Sequence, residues 1–156
     1  MSRANGPIVR LALFGRLGCD STARAERCRR RLAEAGRGAG LNRAHEISLL
    51  VCDGPTMRKL NARWRRIDRP TNVLAFPLHQ GARPFRPAPG PVGDIAVALP
   101  IARREARERG IALDSHLDRL LVHGLLHLIG FDHATDAQAA AMERRERRLL
   151  ANIGER

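Results

Sequence analysis

Tyrosine is absent from this chain, tryptophan occurs once and phenylalanine four times. So few aromatics exclude an extended platform on which nucleobases stack one after another, and contacts to a polyanion would fall mainly on its backbone. Lysine is nearly absent too, Lys59 being the sole one among 28 basic side chains. No apolar run approaches the ~20 residues needed to cross a bilayer. The segment Ile8–Phe14 is short and interrupted by Arg10, which excludes a signal peptide and predicts a strand. Cysteine is scarce and odd in number. Cys19, Cys28 and Cys52 lack the spacing of a zinc knuckle and read as reduced, mostly packing residues of a cytoplasmic protein. Internal repeats and long linkers are missing as well. The chain's 156 residues are therefore expected to form one domain, residues 1–156, around one core.

What is present in excess is positive charge. The net charge is +12, and residues 1–70 carry 16 basic and 6 acidic side chains against 12 and 10 in residues 71–156. A GC-rich coding bias accounts for arginine over lysine but not for the net charge or its asymmetry. Arginine pairs with phosphate through a planar fork, so nucleic acid is the natural partner. Arg24, Arg27 and Arg31 share one face of a predicted helix. That face is read as solvated surface, a phosphate-tracking face being the rarer alternative.

Hydrophobic periodicity predicts alternating strands and helices and then a helical second half. Strands are expected at Ile8–Phe14, Glu46–Asp53, Asn72–Phe76 and Asp94–Leu99. Helices are expected from Ser21 to about Ala35, closed by the glycines at 36, 38 and 40, and from Pro55 to about Arg65. Three more are expected at Ile101–Arg109, Ser115–Ile129 and Thr135–Leu150. Gln80–Val92, with four prolines and two glycines, reads as a loop at the edge of the site. In the last helix Met142, Leu149 and Leu150 face inward, and Arg144, Arg145, Arg147 and Arg148 read as a solvated, Glu-paired surface.

The most informative segment is His123–His133, HGLLHLIGFDH, in which three histidines recur as H-x3-H-x5-H. Residues four apart share a helix face, so His123 and His127 can aim at one point. Gly130 is placed to end the helix in a left-handed turn and let His133 supply a third nitrogen. Three imidazoles leave one position of a tetrahedral zinc open, the arrangement of a catalytic rather than a structural site. His116 shares the direction but lies about 10 Å away at helical rise, too far to ligate the same ion. The zinc-protease form H-E-x-x-H needs a glutamate where this chain has Gly124. A peptidase would lack its base.

HGLLHLIGFDH resembles the H-G-x-L-H-L-x-G-[FY]-D-H signature of the YbeY family, bacterial single-strand-specific metallo-endoribonucleases that mature and quality-check small-subunit ribosomal RNA. LNARWRRIDRPTNVLAFP, residues 60–77, is similar to that family's L-N-x-x-[YW]-R and D-x-P-T-[DN]-V-L-S-F-P block. GDIAV, residues 93–97, is similar to the strand preceding its metal helix. The likeness covers roughly residues 45–150. It implies metal ligands at His123, His127 and His133, a functionally important arginine at Arg65, and Ala75 where the family has serine. For fold it implies a single zincin-like α+β domain, a small mixed sheet of about four strands flanked by helices, with the metal site on a helix of the C-terminal half.

The expected function is then a zinc-dependent endoribonuclease, one Zn2+ per chain, that cleaves single-stranded RNA. It would act in 16S rRNA 3′ end maturation and ribosome quality control with the small ribosomal subunit as partner, as a cytoplasmic monomer without membrane contact. Arg65 would meet charge developing on the phosphoryl group. Asp132 has two readings, a partner for a ligand imidazole or a turn residue. The nucleophile stays open between water and the RNA 2′-OH. The alternatives are a metal hydrolase of another substrate, metallopeptidases included, and a non-catalytic ribosome-assembly factor.

Overall fold

The computed structural model of the protein describes residues 5–79, 84 and 86–154. The chain runs β1 (Ile8–Phe14), α1 (Ser21–Gly38), β2 (His45–Cys52), α2 (Gly54–Arg65), β3 (Val73–Pro77), β4 (Gly90–Ala98), α3 (Leu99–Arg109), α4 (Leu113–Leu128) and α5 (Asp136–Gly154). The strands form one mixed sheet in the order β1-β2-β4-β3. β1, β2 and β4 are parallel, and β3 pairs antiparallel with β4, Ala75 opposite Ile95. β3 is therefore an edge strand, and the site lies beside it. This is the α+β architecture that the family resemblance implies.

Alternation in the strands splits the apolar side chains between two cores. Ile47, Leu49, Val51, Ile95 and Val97 face α1 and α4 and join Leu117, Leu121, Leu125 and Leu128 in the larger core. Leu74, Ala96 and Ala98 face the other way, with Met57 of α2 and Ile101 of α3. α4 is buried along most of its length, which fits its nearly all-round apolar sequence. At Gly124 it lies close against the sheet: a Cβ there would lie 3.2 Å from Ile95 Cγ2. The missing peptidase base thus marks a packing position.

Several boundaries differ from expectation for local reasons. α1 passes through Gly36 to Gly38 because Gly36 is buried against Pro7, where a Cβ would meet the proline ring at 2.5 Å. The proline-rich loop ends earlier than expected. Gly90, Pro91 and Val92 are already strand, with Pro91 at a register shift opposite Glu46, a bulge being where a sheet tolerates proline. The part of that loop at Gln80–Arg83 and Phe85 lies outside the described residues. α2 starts as its sequence suggests: the Asp53 carboxylate accepts from Thr56 N–H at 3.0 Å, and Pro55 occupies the first turn. It ends at Arg66, whose φ of 59° makes it the non-glycine residue with left-handed backbone among those described.

The arginine face of α1 is not solvated surface, and this corrects the sequence reading. Arg27 meets Asp118 with both ends of its fork at 3.0 and 3.1 Å, Arg24 meets Asp114, and Arg31 donates to the Ile153 carbonyl. Arg24, Arg27 and Arg31 are three-quarters or more covered. Together they tie α1 to α4 and α5. A wheel shows which residues share a face; it does not show that another helix supplies carboxylates to that face.

Candidate metal centre

His123 and His127 occupy the last two turns of α4, on the face that also carries Leu120. The helix is closed by Gly130 at φ 93°, whose N–H donates to the His127 carbonyl at 3.2 Å. The Phe131 N–H reaches back to the Leu126 carbonyl at 3.0 Å. Only glycine adopts that backbone cheaply, and the reversal returns His133 toward the helix. The Nε2 atoms of His123 and His127 lie 3.1 Å apart. One nitrogen from each of the three histidines falls within 4.8 Å of the others. In a tetrahedral zinc site, bonds of about 2.0–2.1 Å place neighbouring nitrogens roughly 3.3 Å apart. The donor set and its spacing fit a zinc-class ion.

The sequence reading missed the partner of His123. Its Nδ1 lies 2.7 Å from the Glu146 carboxylate on α5. A proton on Nδ1 would be held by Glu146, leaving the Nε2 lone pair toward the other histidines. A signal was available: Met142, Glu146, Leu149 and Ile153 recur at helical spacing, and three of the four are buried. Glu146 sits on the inward stripe of α5, which the sequence reading confined to its apolar members. Asp132 does not play this part; its carboxylate accepts from the His133 backbone N–H at 2.8 Å, the turn role. Burial, then the neighbouring His123 and His133 rings, push His127 below the usual imidazole range, with Asp132 and the Phe131 backbone pulling the other way.

The three histidines open into a cleft of about 1100 Å³ that also contains Arg65, Arg69 and Glu143. Arg65 enters from the end of α2 and donates to the Ala75 carbonyl at 3.4 Å. That contact is with backbone, so alanine in place of the family's serine leaves it intact. His116 lines the same cleft, buried and 2.7 Å from Glu105. Burial works to raise the Glu105 carboxyl, but hydrogen bonds from His116 and Asn72 outweigh it and hold the group low. His116 is separate from the three-histidine group, as its spacing predicts.

Comparison with known proteins places the chain. The family described as Endoribonuclease YbeY matches residues 18–154. A protein named Endoribonuclease YbeY from Rhodopseudomonas palustris strain BisA53 is 49% identical over 110 residues, which is 70% of this chain and 64% of that relative. One of the same name from Nitrobacter hamburgensis is 49% identical over 111 residues, 58% of its length. The chain thus spans about three fifths of the curated relatives it matches. A Thermotoga maritima protein solved in solution superposes with a TM-score of 0.65 at 25% identity, over 95% of this chain and 91% of that one.

Proposed function

The chain belongs to the YbeY endoribonuclease family, and on that premise we propose that it is a zinc-dependent endoribonuclease cleaving single-stranded RNA. Its place would be 16S rRNA 3′ end maturation and quality control of the small ribosomal subunit, in the cytoplasm and as a monomer. The observation that carries this reading is the convergence of three imidazoles and Arg65 in one open cleft at the sheet edge.

In this mechanism His123, His127 and His133 would hold the zinc, and Glu146 would fix the tautomer and aim of His123. A zinc-class ion held there would supply Lewis acidity toward a phosphoryl oxygen and would make water easier to deprotonate near neutral pH. Arg65, anchored on the Ala75 carbonyl, presents its fork to the scissile phosphate and stabilises the charge that grows there. Its rigid planar donors match two phosphoryl oxygens at once. Arg69, in the same cleft, steers the polyanion. The peptidase alternative is disfavoured because Gly124 offers no base and packs on Ile95.

The deciding experiment incubates zinc-loaded protein with single-stranded rRNA, duplex RNA and casein, each with and without chelator. Chelator-sensitive cleavage of the single-stranded RNA alone is expected. Cleavage of casein would return the protein to the peptidases. Intact RNA in every arm would leave a binding protein.

A further inference from the structure

We propose that the apolar trough on the other flank of β3 holds one unpaired nucleobase of the RNA, stacked at the Trp64–Phe76 pair. It would belong to a nucleotide next to the phosphate that Arg65 meets. This rests on the ribonuclease reading and adds to it a base subsite outside the metal cleft.

Three observations lead there. First, a trough of about 840 Å³ opens on the sheet face turned away from α4, floored by Leu50, Ala96 and Phe76 and walled by Leu60 and Trp64. Arg65 lines both this trough and the histidine cleft, so a chain crossing the β3 edge passes from one to the other at that residue. Second, Trp64 is 61% exposed although it is the chain's one tryptophan. Its ring lies 6.2 Å from Phe76 at 60°, with the Arg63 guanidinium 5.3 Å from its centre. A wet indole beside a second ring and a cation is the setting in which bases stack.

Third, the positive charge without carboxylate partners lies at the Arg65 end of the trough. Arg63, Arg65, Arg66 and Arg69 follow one another at the end of α2, and among the described residues none of them meets a carboxylate. By contrast Arg58 is paired with Asp68, and Arg10, on the trough's other wall, with Glu46. Asp94, the cross-strand neighbour of Phe76, also lines the trough, on the strand next to β3. Phosphates are therefore drawn to the Arg65 side, and a base turned inward finds an apolar floor. A duplex keeps its base faces stacked inside and cannot use such a subsite. Scarcity of aromatics rules out a long platform, yet two of the five aromatic side chains sit together at this one place.

Because Trp64 is the only indole, its emission reports the subsite directly. Zinc-loaded protein is titrated with a 2′-O-methyl oligonucleotide, which cannot be cut by its own 2′-hydroxyl and is checked by gel for cutting by water, with its duplex, and with inorganic polyphosphate. The single strand is expected to quench Trp64 saturably, the other two weakly. Trp64→Leu should weaken single-strand binding roughly fivefold to a hundredfold, Trp64→Phe should recover most of it, and zinc content should be unchanged in both. If polyphosphate quenches as strongly as RNA, or Trp64→Leu binds RNA as the parent does while the parent cleaves it, the base subsite is overturned and the ribonuclease reading stands. If zinc-loaded parent neither binds nor cleaves single-stranded RNA, that reading falls and takes the subsite with it.

Discussion

The glutamate behind His123 carries a role that no spacing rule in the metal motif describes. Glu146→Gln keeps shape and can still hydrogen-bond, but removes the charge that favours the Nδ1–H tautomer. Zinc affinity measured against a competing chelator should fall about tenfold to a hundredfold, the usual scale for such outer partners. Circular dichroism should be unchanged. His123→Ala or His127→Ala should lose most of the metal outright, and full occupancy in the double variant would refute the site. At Arg65 the expectation is different. Arg65→Lys keeps the charge and loses the fork, so single-turnover cleavage should drop roughly tenfold to a thousandfold, or ~1.4–4 kcal/mol, with metal content intact. A normal rate would make Arg65 a packing residue.

Between elements, the contacts of α1 with α4 make a different kind of claim. Arg27→Ala leaves Asp118, itself only 13% exposed, without its forked partner, and stability should fall by about 1–3 kcal/mol by urea denaturation. RNA affinity should hardly change, since this arginine points into the molecule. Asp20 joins the same region: the Arg103 and Arg24 guanidiniums hold its carboxyl at about 2, below its ordinary 3.8. A depressed carboxyl stabilises the fold above its unfolded pKa and ceases to do so as pH falls through its folded value. Asp20→Asn should therefore unfold at lower urea than the parent at pH 5, with the gap closing between about pH 4 and 2. A gap that persists at pH 2 would mean Asp20 acts through packing instead. Gly124→Glu, which would complete a zinc-protease motif on paper, should destabilise by about 1–3 kcal/mol because the new side chain is driven at Ile95. No casein cleavage should appear.

At the scale of the whole molecule the net charge of +12 is only partly available to a ligand. Several α1 arginines are consumed in holding helices together, while the run from Arg63 to Arg69 is open. RNA binding should weaken steeply with added salt, with a log–log slope set by the phosphates that this run contacts. Reversing Arg63, Arg66 and Arg69 to glutamate should flatten that slope. Changes on the α1 face should act on stability and leave the slope alone. No helix among the described residues is long and apolar enough to cross a membrane.

The features legible in the sequence were those that depend on short range. Helical period puts His123 and His127 on one face, Gly130 at positive φ turns the chain, and strand alternation divides Ile47, Leu49 and Val51 from Leu50 and Cys52. The family likeness likewise rests on contiguous blocks. Distant segments decide the rest. Whether Arg27 is wet depends on Asp118, 91 residues away. The tautomer of His123 depends on Glu146, 23 residues on, and the emptiness at Gly124 depends on Ile95. Periodicity says which way a side chain points relative to its own helix; only packing says what waits there, because burial and charge pairing are properties of the two surfaces that meet.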